Sequence, residues 1–445
     1  MQKKQQWTSR LGFILSSAGA AIGLGAIWKF PYMTGTNGGG AFFLLFIAFT
    51  IIIGLPILIA EFVIGRGAGT EAVRAYKKLL PNGISKYIGH WGVVGAFLLM
   101  SFYCVVGGWV LIYSIMSIPG LIVQEGANYN ELFAQITGTP WITLLGFALF
   151  LLINMIVVSF GIQDGIEKAS KILMPLLFLF FIILVIRAVT FEGAMEGIRF
   201  FLEPDFSKLN QENILYALGQ SFFSLAVGIS VMVTYSSYLG KDVSLPVSAG
   251  SVSIMNILVS LFAGLAIFPV VFAFGLEPAE GPGLLFIVLP EAFSSMPFGE
   301  LFLSLFLWLF AFAVFTSSFS MLEIITAAFM NKNRSRRKVA SISTLLVFIA
   351  GIPAALSSNV LSDFTIFGLT VFDATDFLVS NIMLPGGCLF IALFVGFKMD
   401  RTLVQQEFLA GGQFGINTYH VWYQLIRWLV PITIIIVFLT TLGII

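Results

Sequence analysis

The sequence predicts an all-α integral membrane protein of eleven transmembrane helices, built as a five-plus-five inverted repeat with one extra helix. Three observations carry that expectation. The 445 residues are 58% hydrophobic and only 10% charged, with a mean hydropathy of +0.99, whereas soluble chains carry roughly 25% charge. The apolar runs are also long enough to cross a bilayer, which takes about 20 helical residues. Finally, the first and sixth runs are weakened by glycine and serine at matching places in two consecutive halves.

Bounded by charged and turn-rich breaks, the spans fall at about 10–33, 40–65, 89–121, 140–161, 166–189, 213–237, 245–274, 298–329, 338–356, 373–397 and 421–443. The chain reads as one membrane unit over 1–445, with repeat one at about 10–189, repeat two at about 213–397 and the extra helix at about 421–443. Five is an odd number, so the second half starts from the opposite side of the membrane. The first run lacks a small-residue cleavage site and continues into a spanning pattern, so no removable signal peptide is expected.

Lysine and arginine set the orientation. With Lys3, Lys4 and Arg10 on the cytoplasmic side, the inward loops carry Arg66, Arg74, Lys77, Lys78 and Lys86, then Lys168 and Lys171, Lys241, the run 332–338, and Lys398 and Arg401. The outward loops carry Glu125, Glu131, Glu277, Glu280, Glu291 and Glu300, and only the 188–212 segment runs against the bias. An odd span count then puts the C-terminus outside, in a multi-pass plasma-membrane protein. A net charge of +1 leaves no basic surface for nucleic acid. Cys104 and Cys388 lie inside apolar runs and read as packed thiols. His90 and His420 stand beside tryptophans at span ends, as interfacial residues do.

Within span one, Gly19, Gly23 and Gly25 fall among seven residues, and each costs about 1 kcal/mol relative to alanine in a helix. Two readings follow: a tight helix–helix contact, or an interrupted helix whose freed backbone groups bind something charged at mid-membrane. The weakness of span six at 220–230 favours the second, because paired interruptions point to a transporter's midplane site.

Polar residues inside the spans are expensive and need a reason. Glu61 in span two reads as a clamp on unwound backbone, or as a proton or ion handler. Asn256 in span seven is an interhelical hydrogen bonder or a cation ligand. Thr316, Ser317 and Ser318 in span eight either bond back to the preceding turn or present neutral oxygens to sodium. Tyr103 in span three packs, or orients a carboxylate. Lys29 and Asp376 snorkel, or pair across an outer vestibule. Gly165 and Pro175 kink span five, or mark a stretch that unwinds.

Together these residues resemble the neurotransmitter:sodium symporter family, in its bacterial amino-acid branch, from Trp7 to about Phe397. The resemblance is carried by Arg10-Leu-Gly12, Gly23-Leu-Gly25, Lys29-Phe-Pro31, Asn37-Gly-Gly-Gly-Ala-Phe42, Glu61-Phe-Val-Ile-Gly-Arg66 and Gly219-Gln220-Ser-Phe-Phe223. It implies unwound spans one and six, and it is closest to members with eleven spans rather than twelve. It implies two sodium ions. One would be held by the carbonyls of Gly19, Ile22 and Ala313 with the hydroxyls of Thr316 and Ser317. The other would use the Ala21 carbonyl, Ser224, Asn256 and the substrate's own carboxylate, but Ala26 replaces an expected asparagine ligand.

The resemblance further implies that the substrate carboxylate meets the N–H groups of Leu24 and Gly25 and the Tyr103 hydroxyl. The substrate amine would meet the carbonyls of Ala21, Phe223 and Ser224. Where amine carriers place an aspartate this chain has Gly23, which implies an α-amino acid as substrate. Leu99, Phe223, Ala226, Ile229, Ser317 and Met321 would form an apolar side-chain pocket, open to bulky aliphatic or aromatic groups. Lys29 and Asp376 would form the outer gate. Lys4, Trp7 and Tyr238 would form the inner latch, with Asn331 where an acid is usual. Gly165 and Pro175 match a motif tied to unwinding of span five. At Ser260, Gln220, Asn256 and Phe46 the sequence leaves chloride dependence open.

The leading expectation is sodium-coupled symport of hydrophobic L-amino acids by alternating access, and no enzymatic activity. Proton coupling through Glu61 or Glu323 is the alternative, with a substrate sensor or channel on the same fold as a further one. There is no ring of like charges for a channel and no G-x-x-x-x-G-K-[ST] loop for a primary pump. Nothing in the sequence fixes an oligomeric state.

Overall fold

The break in span one is the feature around which the helices are arranged. In the computed structural model, which describes residues 5–123, 127–276, 283–331 and 333–441, helix Arg10–Ala21 and helix segment Gly25–Thr36 meet at a 52° bend. Ser9 starts the first half by accepting from the Gly12 N–H at 3.0 Å, satisfying one of the orphan donors of a helix start. Ile22 ends that half in an extended conformation. The second half begins with a wide π turn at Gly25–Lys29.

Among the described residues, nine further helices are long and apolar enough to span: Gly40–Ala68, Ile84–Ser117, Pro140–Ser159, Ile162–Ala188, Leu245–Ala273, Gly299–Phe329, Arg336–Ala355, Val371–Lys398 and Ile416–Thr440. They are spans two to five and seven to eleven. Span six is the broken pair Gln211–Leu225 and Val231–Ser236, too short on either side of its gap to qualify by length. Its gap is held open by left-handed backbone at Ala226 (φ 52°), Gly228 (φ 92°) and Ser230 (φ 57°). The protein is therefore all-α and membrane-spanning, with interrupted spans one and six. Its only strands among the described residues are the two-residue pair Thr365–Ile366 and Leu369–Thr370.

Lys3, Lys4, Glu125, Glu277, Glu280 and Lys332 lie outside the described residues. The connections hold short helices that apolar run-length does not reveal: Ala72–Leu79, Tyr129–Gly138, Ala194–Leu202, Leu289–Ser294 and Arg401–Leu409. The last is fixed by a buried ion pair, Arg66 Nε to Glu407 Oε2 at 2.6 Å. Span five is helical over Ile162–Ala188, with a π turn at Ile162–Glu167 that includes Gly165, and Pro175 inside the following α-helix. In this conformation the stretch between Gly165 and Pro175 is wound.

Span ten packs directly on the gap in span six. A Cβ on Gly387 would lie 1.7 Å from the Gly228 carbonyl oxygen, and one on Gly228 would lie 2.2 Å from the Leu384 carbonyl oxygen. Two backbones touch there with no side chain between them, which small residues alone permit. Glu61 of span two closes the gap from the other side, its Oε1 accepting from the Gly228 N–H at 2.7 Å. Buried in apolar surroundings, a carboxylate needs such donors.

Candidate substrate and ion site

Both gaps face one small enclosed cavity of about 10 Å³, lined by Ala21, Gly23, Leu24, Gly25, Leu99, Tyr103, Phe223, Ala226, Ser317, Met321 and Leu384. A water molecule needs about that much room, so the walls have closed on one another in this conformation. At its floor Tyr103 Oη accepts from the Leu24 N–H at 3.2 Å. The Leu24 and Gly25 N–H groups begin the second half of span one, where the helix dipole is positive and anions are favoured. Gly25 is needed for close approach, since a Cβ there would be 2.8 Å from the Phe223 ring.

The first half of span one supplies the complementary charge. Its last turn leaves carbonyls without helical donors, and the Ala20 carbonyl is met by Ser317 Oγ at 3.0 Å. Gly19 lies against Thr316, with a Cβ position only 2.8 Å from Thr316 Cβ. Thr316 Oγ1 turns back on the Phe312 and Ala313 carbonyls at 3.0 and 3.1 Å. Gly19, Ala313, Thr316 and Ser317 are thus brought together beside Ile22 at the helix end. Neutral oxygens of this kind suit a hard cation such as sodium.

The second expected ion set closes on itself. Ser224 Oγ donates to Asn256 Oδ1 at 2.9 Å, and Asn256 Nδ2 donates to the Ser224 carbonyl at 2.8 Å. Ala26 is fully buried and brings no oxygen on its side chain. Nearby, Gln220 Nε2 donates to the Gly25 carbonyl at 2.6 Å. Gln220 Oε1 and the Ser260 hydroxyl are both buried without a hydrogen-bond partner, and Phe46 is fully buried.

The side-chain pocket differs from expectation at two positions. Ile229 is fully buried but turns onto span three, where a Cβ on Gly95 would be 2.8 Å from its Cγ2; it does not line the cavity. Leu384 of span ten does line it, because the Gly387–Gly228 contact draws span ten inward. No local pattern in the sequence marks that residue.

Each end of the cavity is closed by an ion pair. On one side Lys29 Nζ lies 3.3 Å from Asp376 Oδ2, 3.2 Å from Ser380 Oγ and 4.8 Å from the centroid of the Phe223 ring. On the other, Trp7 Nε1 donates to the Tyr235 carbonyl at 2.8 Å and Tyr238 Oη to Glu323 Oε1 at 3.0 Å. Glu323 is ion-paired with Arg336. The acid bonded to Tyr238 is Glu323 of span eight, while Asn331 is exposed. Lys4 lies outside the described residues.

The family model described as "Sodium:neurotransmitter symporter family" matches residues 4–131 and 135–445. A "sodium-dependent transporter YhdH" of Bacillus subtilis is 50% identical over 445 residues, covering 100% of this chain and 99% of the relative. A sodium-dependent transporter of Haemophilus influenzae is 39% identical over 454 residues, covering 99% of each. A "Sodium- and chloride-dependent GABA transporter 2" of Rattus norvegicus is 28% identical, over 88% of this chain and 72% of the relative. The crystal structure of MhsT in complex with L-phenylalanine superposes with a TM-score of 0.92 at 41% identity, covering 98% of this chain and 100% of that one.

Proposed function

The chain belongs to the sodium:neurotransmitter symporter family, and from that membership we propose that it couples sodium to the uptake of bulky aliphatic or aromatic L-amino acids by alternating access. Membership makes it a sodium-dependent transporter and not an enzyme; the substrate class rests on the cavity. The observation that carries it is the packing of Gly23, where a Cβ would lie 2.3 Å from Tyr103 Oη and 2.7 Å from Ser317 Oγ. No acid fits there to pair a free amine, so the substrate brings its own carboxylate to Leu24, Gly25 and Tyr103. The remaining walls are apolar, and an ionised side chain placed among them would lose hydration without a partner. The structural similarity to MhsT bound to L-phenylalanine supports the same class.

Two sodium ions fit the reading. One lies among Gly19, Ile22, Ala313, Thr316 and Ser317; the other lies at Ala21, Ser224 and Asn256 and is completed by the substrate carboxylate. That shared ligand couples the two cargoes. Each ion moving down the membrane potential contributes roughly 2.3 kcal/mol per 100 mV. The protein sits in the plasma membrane with its N-terminus cytoplasmic and its C-terminus outside, as the basic loops direct.

Uptake of leucine, phenylalanine or tryptophan into proteoliposomes, with sodium replaced by choline at fixed pH, tests this. Uptake is expected to stop, and undiminished uptake would refute sodium coupling. Tyr103→Phe is expected to weaken substrate binding by about 1–3 kcal/mol; unchanged affinity removes its hydroxyl from the site. A second reading draws on one observation: Glu61 Oε2 is buried without a hydrogen-bond partner and could carry a proton. Uptake driven by a pH gradient in sodium-free medium is its signature.

A further inference from the structure

A second pocket, larger than the central cavity, lies away from it. It is an apolar groove of about 670 Å³ at the basic-loop end of spans three and ten, walled by Ile84, Ile88, Trp91, Phe390, Leu393 and Phe397. That volume lies in the range of about 300–1,000 Å³ that holds drug-sized ligands. Ile84, Leu393 and Phe397 are exposed, so the groove opens sideways where the bilayer runs. Trp91 is fixed in its wall by a hydrogen bond from Nε1 to the Met383 carbonyl at 2.9 Å and by an edge contact with Phe390.

Its rim is cationic. Lys398 lines the groove itself, and Lys86 sits beside it with Nζ 5.1 Å from the centroid of the Tyr87 ring. Arg427 of span eleven lies 4.9 Å from the centroid of the Phe397 ring and 5.4 Å from that of Trp428, and its Nε is buried without a hydrogen-bond partner. A guanidinium inside a spanning helix is costly and calls for a counter-charge. None of these three cations belongs to a salt bridge among the described residues. The neighbouring carboxylate, Asp400, caps the helix Arg401–Leu409 by accepting from the Thr402 N–H at 3.0 Å.

An apolar trough with an uncompensated positive rim at the membrane interface matches one amphipathic molecule with a negative head. The geometry points to a site for an anionic phospholipid, an acyl chain lying in the groove and the phosphate meeting Lys398, Lys86 and Arg427. Basic pockets between helices at the cytoplasmic side recognise such headgroups by charge. The basic run 334–338 is differently used, since Arg336 turns inward onto Glu323.

The test uses the purified full-length chain, stripped of lipid and mixed with detergent micelles doped with phosphatidylglycerol or phosphatidylcholine. Native mass spectrometry counts retained lipid, and the unfolding temperature is read alongside. One phosphatidylglycerol is expected to be retained in preference to phosphatidylcholine and to raise the unfolding temperature. Lys398→Gln and Lys86→Gln are each expected to weaken its retention about fivefold. Leu393→Trp, which fills the groove and leaves the rim intact, is expected to expel the lipid with the lipid-free unfolding temperature unchanged. Arg337→Gln with Lys338→Gln serves as the charge control and is expected to change nothing. Equal retention of the two lipids, retention surviving in the groove variants, or equal loss in the control would each overturn the site.

Discussion

A methyl group on Gly23 would sit 2.3 Å from Tyr103 Oη and 2.7 Å from Ser317 Cβ, in an interior packed as densely as an organic crystal. Overpacking of this kind costs about 1–3 kcal/mol, and here it falls on two side chains of the cavity wall. Gly23→Ala is therefore expected to weaken sodium-dependent leucine binding about 5- to 150-fold, measured by equilibrium binding on protein that remains monodisperse. Ala226 presents the opposite case. Its φ of 52° costs an L-residue roughly 1–2 kcal/mol, which glycine avoids. Offset by the entropy glycine adds to the unfolded chain, Ala226→Gly is expected to gain up to about 1 kcal/mol in stability. The same change removes a methyl from the pocket wall, so relative affinity should shift towards tryptophan in a competition assay. Loss of stability would place the cost of the gap elsewhere.

At the scale of helices, the latch shows what a buried charge does. The Glu323 side chain is fully buried and held by Arg336, which is itself 14% exposed, and by Tyr238. Removing one partner of a buried pair costs about 3–5 kcal/mol, because the other charge stays buried alone. Arg336→Gln is expected to lower stability by that order, or to open the Trp7 end, read as faster labelling of a cysteine introduced there. Adding Glu323→Gln should recover most of the loss, since it removes the stranded charge. Equal damage from the double variant would mean that the pair does not act as a unit. Glu323 also marks the limit of sequence reading. The gaps in spans one and six were legible because glycine acts locally, through backbone freedom and missing side chains. Which side chains meet across helices depends on rotation and tilt, which no single segment encodes. Hence the sequence shows Asn331 where an acid is usual, and gives no sign that Glu323, eight residues earlier on span eight, meets Tyr238. Ile229 was expected in the pocket, although within a gap no helical period fixes where a side chain points. Leu384 was not anticipated at all, because it reaches the cavity through a contact between Gly387 and Gly228, which are 159 residues apart in sequence and on different spans.

Across the whole molecule, the two closures are unequal. Lys29 and Asp376 have side chains 18% and 32% exposed, and ion pairs that water and salt can reach contribute about 0.2–1 kcal/mol. The Glu323–Arg336 pair is several-fold harder to part. The cavity is therefore expected to open first at the Lys29 end. Asp376→Asn should shift accessibility there only modestly, and raised ionic strength should reduce the difference between variant and parent. Cysteine labelling beside Phe223, compared with labelling beside Tyr238, measures the asymmetry. Span ten links these ends in another way. Gly387, pressed on the Gly228 carbonyl, stands midway along the helix between Asp376 at one tip and Lys398 at the other, with roughly 16 Å of helix on each side at 1.5 Å per residue. Span ten has a wide π turn in each arm, at Leu378–Met383 and at Phe394–Lys398. If the two arms move as one lever about that contact, a swing of the Asp376 tip away from Lys29 would carry the Lys398 tip the opposite way, and the mouth at Lys29 and the groove at Lys398 would change width in a single stroke.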